Sequence, residues 1–230
     1  MSLSTVVARL RTRRGARGAR GERGAVALEA ALVLPILLIV VLGIIEIGFL
    51  IRDHNVVVSN TRTGARIAST GAGAGPGTCA SGPEEPPCTP TSSPALAQMA
   101  ADAIQRSGSA MPLDQIQYIL VYKANDKGYP GVDGATTMPT SCAGYSNCVR
   151  FVWRKSADKF RYAEGSWDSR TISACFPGTA AKPLDRVGIQ MVASHKTFTG
   201  LFGNSLTLQD HAVLNFEPLV AQSCGSGTHA

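Results

Sequence analysis

Residues 24–51 read GAVALEAALVLPILLIVVLGIIEIGFLI, and this apolar stretch decides how the rest of the chain is organised. A helix needs about 20 apolar residues to cross the hydrocarbon core of a bilayer, and the part from Ala30 to Ile45 carries no charge. A cleavable secretory signal has an apolar core of only about 7–15 residues and a small-residue cleavage site, which this run lacks. The stretch therefore predicts a membrane-spanning helix, in which Pro35 is tolerated as a kink.

The distribution of charge predicts the orientation of this helix. The chain has a net charge of +6, but seven arginines and only one acidic residue precede residue 25. The remaining 15 basic and 15 acidic residues balance, and no motif for nucleic-acid binding is present, so no nucleic-acid partner is expected. Because arginines beside a span favour the cytoplasmic side, residues 1–24 are predicted to be a cytoplasmic leader and the C-terminal bulk to be extracytoplasmic.

Beyond the span, apolar and small residues continue at helical spacing, namely Val56, Val57, Asn60, Gly64, Ile67 and Ala68. This stripe predicts that one helix covers residues 25–69 and projects well outside the membrane, with a length of roughly 68 Å. Residues 70–93 are rich in glycine, proline, serine and threonine, which indicates a linker or an exposed loop.

The pattern of apolar residues over 94–221 predicts one α+β domain, which is followed by a tail at residues 222–230. A helix is expected over 94–107, where apolar residues share one face, and a compact turn or helix over Thr197–Gly203. Alternating apolar residues predict strands at Leu113–Lys123, Cys148–Lys155 with an extension over Lys159–Ala163, Thr171–Phe176, Asp185–Lys196 and Leu206–Phe216. The predicted fold is a long transmembrane helix followed by a mainly antiparallel sheet domain.

All the cysteines lie beyond the apolar run, and their number is even: Cys79, Cys88, Cys142, Cys148, Cys175 and Cys224. This usage predicts three disulfides in an oxidising compartment, although six cysteines allow about 15 pairings and the sequence alone does not choose among them. The pairing favoured by loop closure is 79–88, 142–148 and 175–224. Zinc binding is the competing interpretation, and four scattered histidines give it little support.

The sequence contains none of the catalytic or metal-binding motifs that would indicate an enzyme. There is no G-x-S-x-G elbow, no H-E-x-x-H and no EF-hand loop, and the histidines are far apart. We therefore expect no catalytic residue, no metal and no cofactor.

Two glutamates, Glu29 and Glu46, are the unusual feature of the span, because an ionisable group in a membrane helix is a candidate functional site. Glu29 is the fifth residue after Gly24, which ends the basic leader. This arrangement resembles the class III signal of type IV pilins and pseudopilins. More closely, residues 24–69 resemble the TadE-like family of tight-adherence (type IVc) pilus proteins. The matching residues are Leu34-Pro35, Gly43 to Glu46 and Gly64-Ala65-Arg66, with a looser similarity in the closing hairpin around Val187, Phe198–Gly203 and Leu206–Phe216.

The resemblance implies how the chain is processed and which partners it has. A prepilin peptidase would cut after Gly24 and leave Ala25 as the new N-terminus, and the partners would be other pilins or pseudopilins, the tight-adherence membrane platform and the lipid bilayer. One departure is Ala30, because the family usually has an aromatic residue after the first glutamate. Glu29 would pair with the new amine of a neighbouring subunit, whereas Glu46 has an interfacial position and no further assigned role.

Two other functions stay open at the level of sequence. One is a single-pass extracytoplasmic binding module with an uncleaved anchor and no part in a pilus. The other is an anchored secreted enzyme, which lacks a candidate active site.

Overall fold

The computed structural model describes residues 18–79, 89–107, 111–175, 184–200 and 203–219, with side chains from residue 24 onward. The chain divides into two compact units, Met1–Ile47 and Gly48–Ala230. The first contains the N-terminal part of one long helix. The second contains the remainder of that helix and the sheet domain.

Helix α1 spans Gly18–Thr70 and is 53 residues long, with Pro35 inside it. Residues Gly24–Thr70 of this helix are long and apolar enough to cross a membrane. The helix thus continues without interruption beyond the apolar run to Thr70, and the position of this extension outside a membrane stays a prediction. The sequence supports such a helix because leucine and alanine, which favour helix, are frequent in it, and because glycine and Pro35 are tolerated in a membrane helix.

A five-stranded antiparallel sheet forms the second unit together with the shorter helix α2, Ala95–Arg106. The strands are β1 Ile116–Ala124, β2 Cys148–Arg154, β3 Lys159–Ser166, β4 Arg186–Lys196 and β5 Ser205–Asn215. Their order across the sheet is β3-β2-β1-β4-β5, so β3 and β5 are the edges. This arrangement confirms the predicted α+β fold.

The two faces of the sheet carry two separate cores, because side chains alternate along each strand. On one face, Ile119 and Val121 belong to a cluster that also contains Val57 and Ala65 of α1 and Leu96 of α2. Small residues let α1 approach closely. A Cβ atom placed on Gly64 would lie only 2.8 Å from Ile104 Cδ1 of α2.

On the opposite face, Tyr118, Leu120 and Tyr122 pack with Cys142 and Cys148. The segment between β1 and β2 covers this face, and the Cys142–Cys148 disulfide closes it. Burial raises the pKa of Tyr122 above its usual range, so its hydroxyl stays protonated and donates to the carbonyl of Gly128 at 3.0 Å.

One predicted strand is wrong. The predicted strand Thr171–Phe176 is instead a short 3-10 helix, Ser169–Thr171, followed by irregular chain as far as Cys175, with Phe176 outside the described residues. The Asp168 side chain accepts a hydrogen bond from the backbone of Arg170, which favours a turn over an extended strand.

The predicted turn or helix after β4 is a bend over residues 198–200 with no helix in its described part. Leu201 and Phe202 lie outside the described residues. Residues 70–93 also differ from an exposed loop where they are described, because Ala72, Cys79 and Ser93 are buried.

Candidate membrane and assembly site

An exposed apolar surface surrounds α1 in the first unit. The exposed fraction is 65% for Leu32, 50% for Leu38 and 65% for Ile44, and every side chain from residue 24 to residue 42 is exposed. A helix that is apolar on all sides is typical of a membrane span or of a buried core, and exposed apolar patches of this extent mark a surface that another phase or protein covers. This part of α1 therefore needs lipid or neighbouring helices around it.

The predicted processing site lies at the start of the described side chains. Gly24 and Ala25 are both exposed and helical, and a Cβ atom placed on Gly24 would meet no other atom within 4 Å. Cleavage between them stays a prediction. Its chemical consequence would be a free amine one helical turn before Glu29.

Glu29 stands in the exposed apolar surface, and no ion pair among the described side chains involves it. A carboxylate in a membrane span is costly unless it reaches water or finds a partner. Glu29 therefore has the chemistry of a group that is satisfied by another molecule or by the membrane surface.

Glu46 differs from Glu29 in burial. It is only 3% exposed, whereas its neighbours Ile45 and Ile47 are each 45% exposed. The interfacial position and the assembly role of Glu46 stay predictions. The two glutamates, which the sequence presents as a similar pair, thus have different environments.

A buried side-chain hydrogen bond joins α1 to the sheet immediately after the apolar run. Asp53 Oδ2 lies 2.7 Å from His195 Nδ1 at the end of β4, and both side chains are 5% exposed. Arg52 Nη2 lies 3.0 Å from Asp53 Oδ1, and the Arg52 guanidinium stands over the ring of Phe49 at 5.3 Å. This cluster fixes the first turn of α1 in the second unit against the last residues of β4.

Sequence reasoning missed this pair, although a signal for it exists. His195 continues the alternation of Val187, Ile189, Met191 and Ala193, which all belong to the core on the helix side of the sheet. A histidine at such a position is expected to be buried and therefore to need a partner. The sequence alone does not show which of the acidic residues supplies that partner.

Further along α1, buried polar groups make two more contacts with the domain. The hydroxyl of Thr61, which is fully buried, donates to the carbonyl of Val57 and to Asp210 Oδ2 of β5, the latter at 3.3 Å. Ser107, which follows α2, donates to Asn60 Oδ1 at 2.6 Å. The helix is thus held by specific polar contacts as well as by apolar packing.

The cysteines fit an oxidising compartment. The predicted Cys142–Cys148 disulfide is present, and Cys79 and Cys175 are also disulfide-bonded. Their predicted partners, Cys88 and Cys224, lie outside the described residues. Within the described ranges, no group of three histidine, cysteine, aspartate or glutamate side chains is arranged to hold a metal ion.

Comparison with known proteins gives one family. Residues 24–66 match the family model described as TadE-like protein. The match confirms the resemblance over the apolar run and over most of the part of α1 that follows it. The sheet lies outside the matched segment. No curated protein and no solved structure matches the chain.

Proposed function

We propose that this protein is a minor pilin or pseudopilin that takes part in assembling or priming a tight-adherence pilus involved in adhesion. The observation that carries the proposal is the exposed carboxylate of Glu29 on an otherwise apolar helix, inside the segment that matches TadE-like proteins. A simple anchor gains nothing from a charge at this place, whereas an assembling subunit gains a recognition point.

The first step in the proposal is processing. A prepilin peptidase cuts between Gly24 and Ala25 on the cytoplasmic side and removes the arginine-rich leader. The product is a single-pass membrane protein whose helix begins with a free α-amine. The disulfides support an extracytoplasmic location for the sheet domain, because such bonds persist in oxidising compartments.

The second step is assembly. In a bundle of such helices, the Glu29 carboxylate of one subunit meets the amine of Ala25 of its neighbour. A lone buried charge is strongly unfavourable, and a paired one is much less so, so only the correct axial register satisfies both groups. The domain then lies at the tip or on the surface of the filament and contacts other pilins or a target. The role is structural, and the membrane platform of the pathway supplies the driving force.

The experiment compares Glu29→Gln with Glu217→Gln, which removes an exposed carboxylate from the domain surface instead. Both variants are expressed with the other pilus components, and incorporation into sheared filaments or into a complex with the major pilin is measured. We expect Glu29→Gln to reach the membrane, fold and be processed but to lose most of its incorporation, because the amine of its neighbour has no counter-charge. Glu217→Gln is expected to incorporate normally.

Normal incorporation of Glu29→Gln would exclude the register role of this carboxylate. If neither the native chain nor the variants co-purify with a pilin, and the leader arginines persist, the protein is a membrane-anchored binding module instead.

A further inference from the structure

The direction of β4 relative to α1 is fixed by two contacts within the second unit. A Cβ atom placed on Gly64 would lie 3.5 Å from Ile189 Cγ2, and Asp53 lies 2.7 Å from His195. Strand β4 therefore runs antiparallel to α1, with its C-terminal end beside the N-terminal part of the helix in this unit. The strand runs towards the end of the helix at which the apolar run stops.

Contacts of β5 give the same direction independently. Thr61 contacts Asp210, and the carbonyl of Ser69 accepts from the backbone of Glu217 at 2.9 Å, so β5 runs back along the helix in the opposite sense to β4. The ten helical residues from Thr61 back to Ile51 span about 15 Å. The five strand residues from Asp210 back to Ser205 span about 17 Å. The turn between β4 and β5 thus begins near the level of Ile51, the last apolar residue of the span.

The described part of this turn carries an exposed aromatic side chain, and an exposed lysine precedes it in the chain. Phe198 is 81% exposed, and Lys196, two residues earlier, is also exposed. On α1, the Arg52 side chain is 50% exposed and Phe49 is 44% exposed. Aromatic rings and basic side chains are the groups that proteins place at the boundary between headgroups and acyl chains.

We propose that Phe198 inserts into the interface of the bilayer that α1 crosses, so that the β4–β5 turn is a second membrane contact of the domain. Lys196 and Arg52 lie at the level of the lipid phosphates. The lipid surface fits this patch better than a protein partner does, because the turn begins near the level of Ile51, where the apolar run of α1 ends. The buried Asp53–His195 contact holds the end of β4, and with it the start of the turn, against α1.

This inference rests on the membrane location of α1 in the proposed function, so its test includes a position in the span. Single cysteines are introduced into the full-length protein as Phe198→Cys, Leu38→Cys and Val132→Cys, and each is given a nitroxide label. Val132 is the matched control. It is 80% exposed and apolar. The side-chain amide of Asn125, which directly follows β1, donates a hydrogen bond to the carbonyl of Val132, so Val132 lies at the end of the sheet opposite to the β4–β5 turn. The unsubstituted chain, treated identically, gives the background from native cysteines.

The measurement is the collision rate of each label with oxygen and with a water-soluble nickel complex, for protein in nanodiscs that contain phosphatidylglycerol. We expect the labels at positions 198 and 38 to collide with nickel several-fold less often than the label at position 132, and more often with oxygen.

Two outcomes overturn the inference. In the first, the label at position 38 is in lipid but the label at position 198 behaves like the one at position 132, which leaves the anchor intact and removes only the second contact. In the second, the label at position 198 is shielded from both reagents and shows spin–spin broadening, which means that a second copy of the chain covers it. If the label at position 38 is in water as well, the membrane location of α1 itself fails.

Discussion

The two halves of helix α1 have the same backbone conformation and opposite surroundings. From Val26 to Ile45 the helix is apolar on all sides, and nearly all of its side chains are exposed. From Asp53 to Ala68 it buries one stripe and exposes the other, as an amphipathic helix in a domain does. The burial pattern of the helix changes near Arg52, as the proposed passage from a membrane into a folded domain requires.

The comparison also separates the polar groups of the helix. Glu29 in the first half is exposed, whereas Asp53 and Thr61 in the second half are buried and have partners within the domain. Polar groups in the second half therefore stabilise this fold. The carboxylate in the first half is left for another molecule, which is the basis of the proposed assembly role.

The same charged substitution in each half gives the largest expected contrast. Ala65 is fully buried, so the substitution Ala65→Asp would place an unpaired carboxylate in the core. We expect it to lower the free energy of unfolding by about 4 kcal/mol. Ala31 lies in the first unit, outside the domain whose unfolding is followed, and Ala31→Asp is therefore expected to leave this free energy unchanged within about 0.5 kcal/mol. Denaturant unfolding in detergent, followed by the fluorescence of the buried Trp167, measures both. Equal effects would mean that the halves are not distinct.

The buried contact between Asp53 and His195 gives an intermediate effect. Asp53→Ala leaves His195 buried without its partner, and we expect a loss of about 1–3 kcal/mol in the free energy of unfolding, against none for Glu29→Ala. A double-mutant cycle with His195→Ala isolates the interaction, for which a coupling energy of about 0.5–3 kcal/mol is expected. Simple additivity of the two substitutions would show that the pair does not join the helix to the sheet.

Two glycines of the helix give the smallest contrast. The Cβ atom added by Gly48→Ala would have no other atom within 4 Å. Because alanine has a higher helix propensity than glycine, this substitution should raise the free energy of unfolding by up to about 1 kcal/mol. Gly64→Ala gains the same propensity but must displace the Ile104 side chain, so its net effect should be near zero. The same denaturation experiment resolves the difference, and equal gains would indicate that α1 does not pack closely on α2.

Much of this architecture follows from local pattern. The length and charge of the apolar run predict the span, and alternation predicts β1, β2, β4 and β5 within a few residues of their ends. The short loop between Cys142 and Cys148 favours their disulfide. Each of these features depends on residues close together in the chain, so periodicity and spacing are sufficient.

The rest depends on contacts between distant residues. Asp53 and His195 are 142 positions apart, and nothing near either residue identifies the other. The strand order β3-β2-β1-β4-β5 is likewise set by packing rather than by local sequence. The stripe after the span predicts a helix but not the surface that covers it, so the sequence alone does not place the second half of α1 in the domain core.

The most direct test of the proposed role of α1 is the mass of the N-terminal peptide of the protein isolated from membranes. We predict that the mature chain begins at Ala25, with the arginine-rich leader removed, so that the exposed half of the helix starts with the amine that Glu29 requires. A chain isolated with its leader intact from cells with active prepilin peptidase would contradict this. It would reduce the first half of α1 to an ordinary membrane anchor.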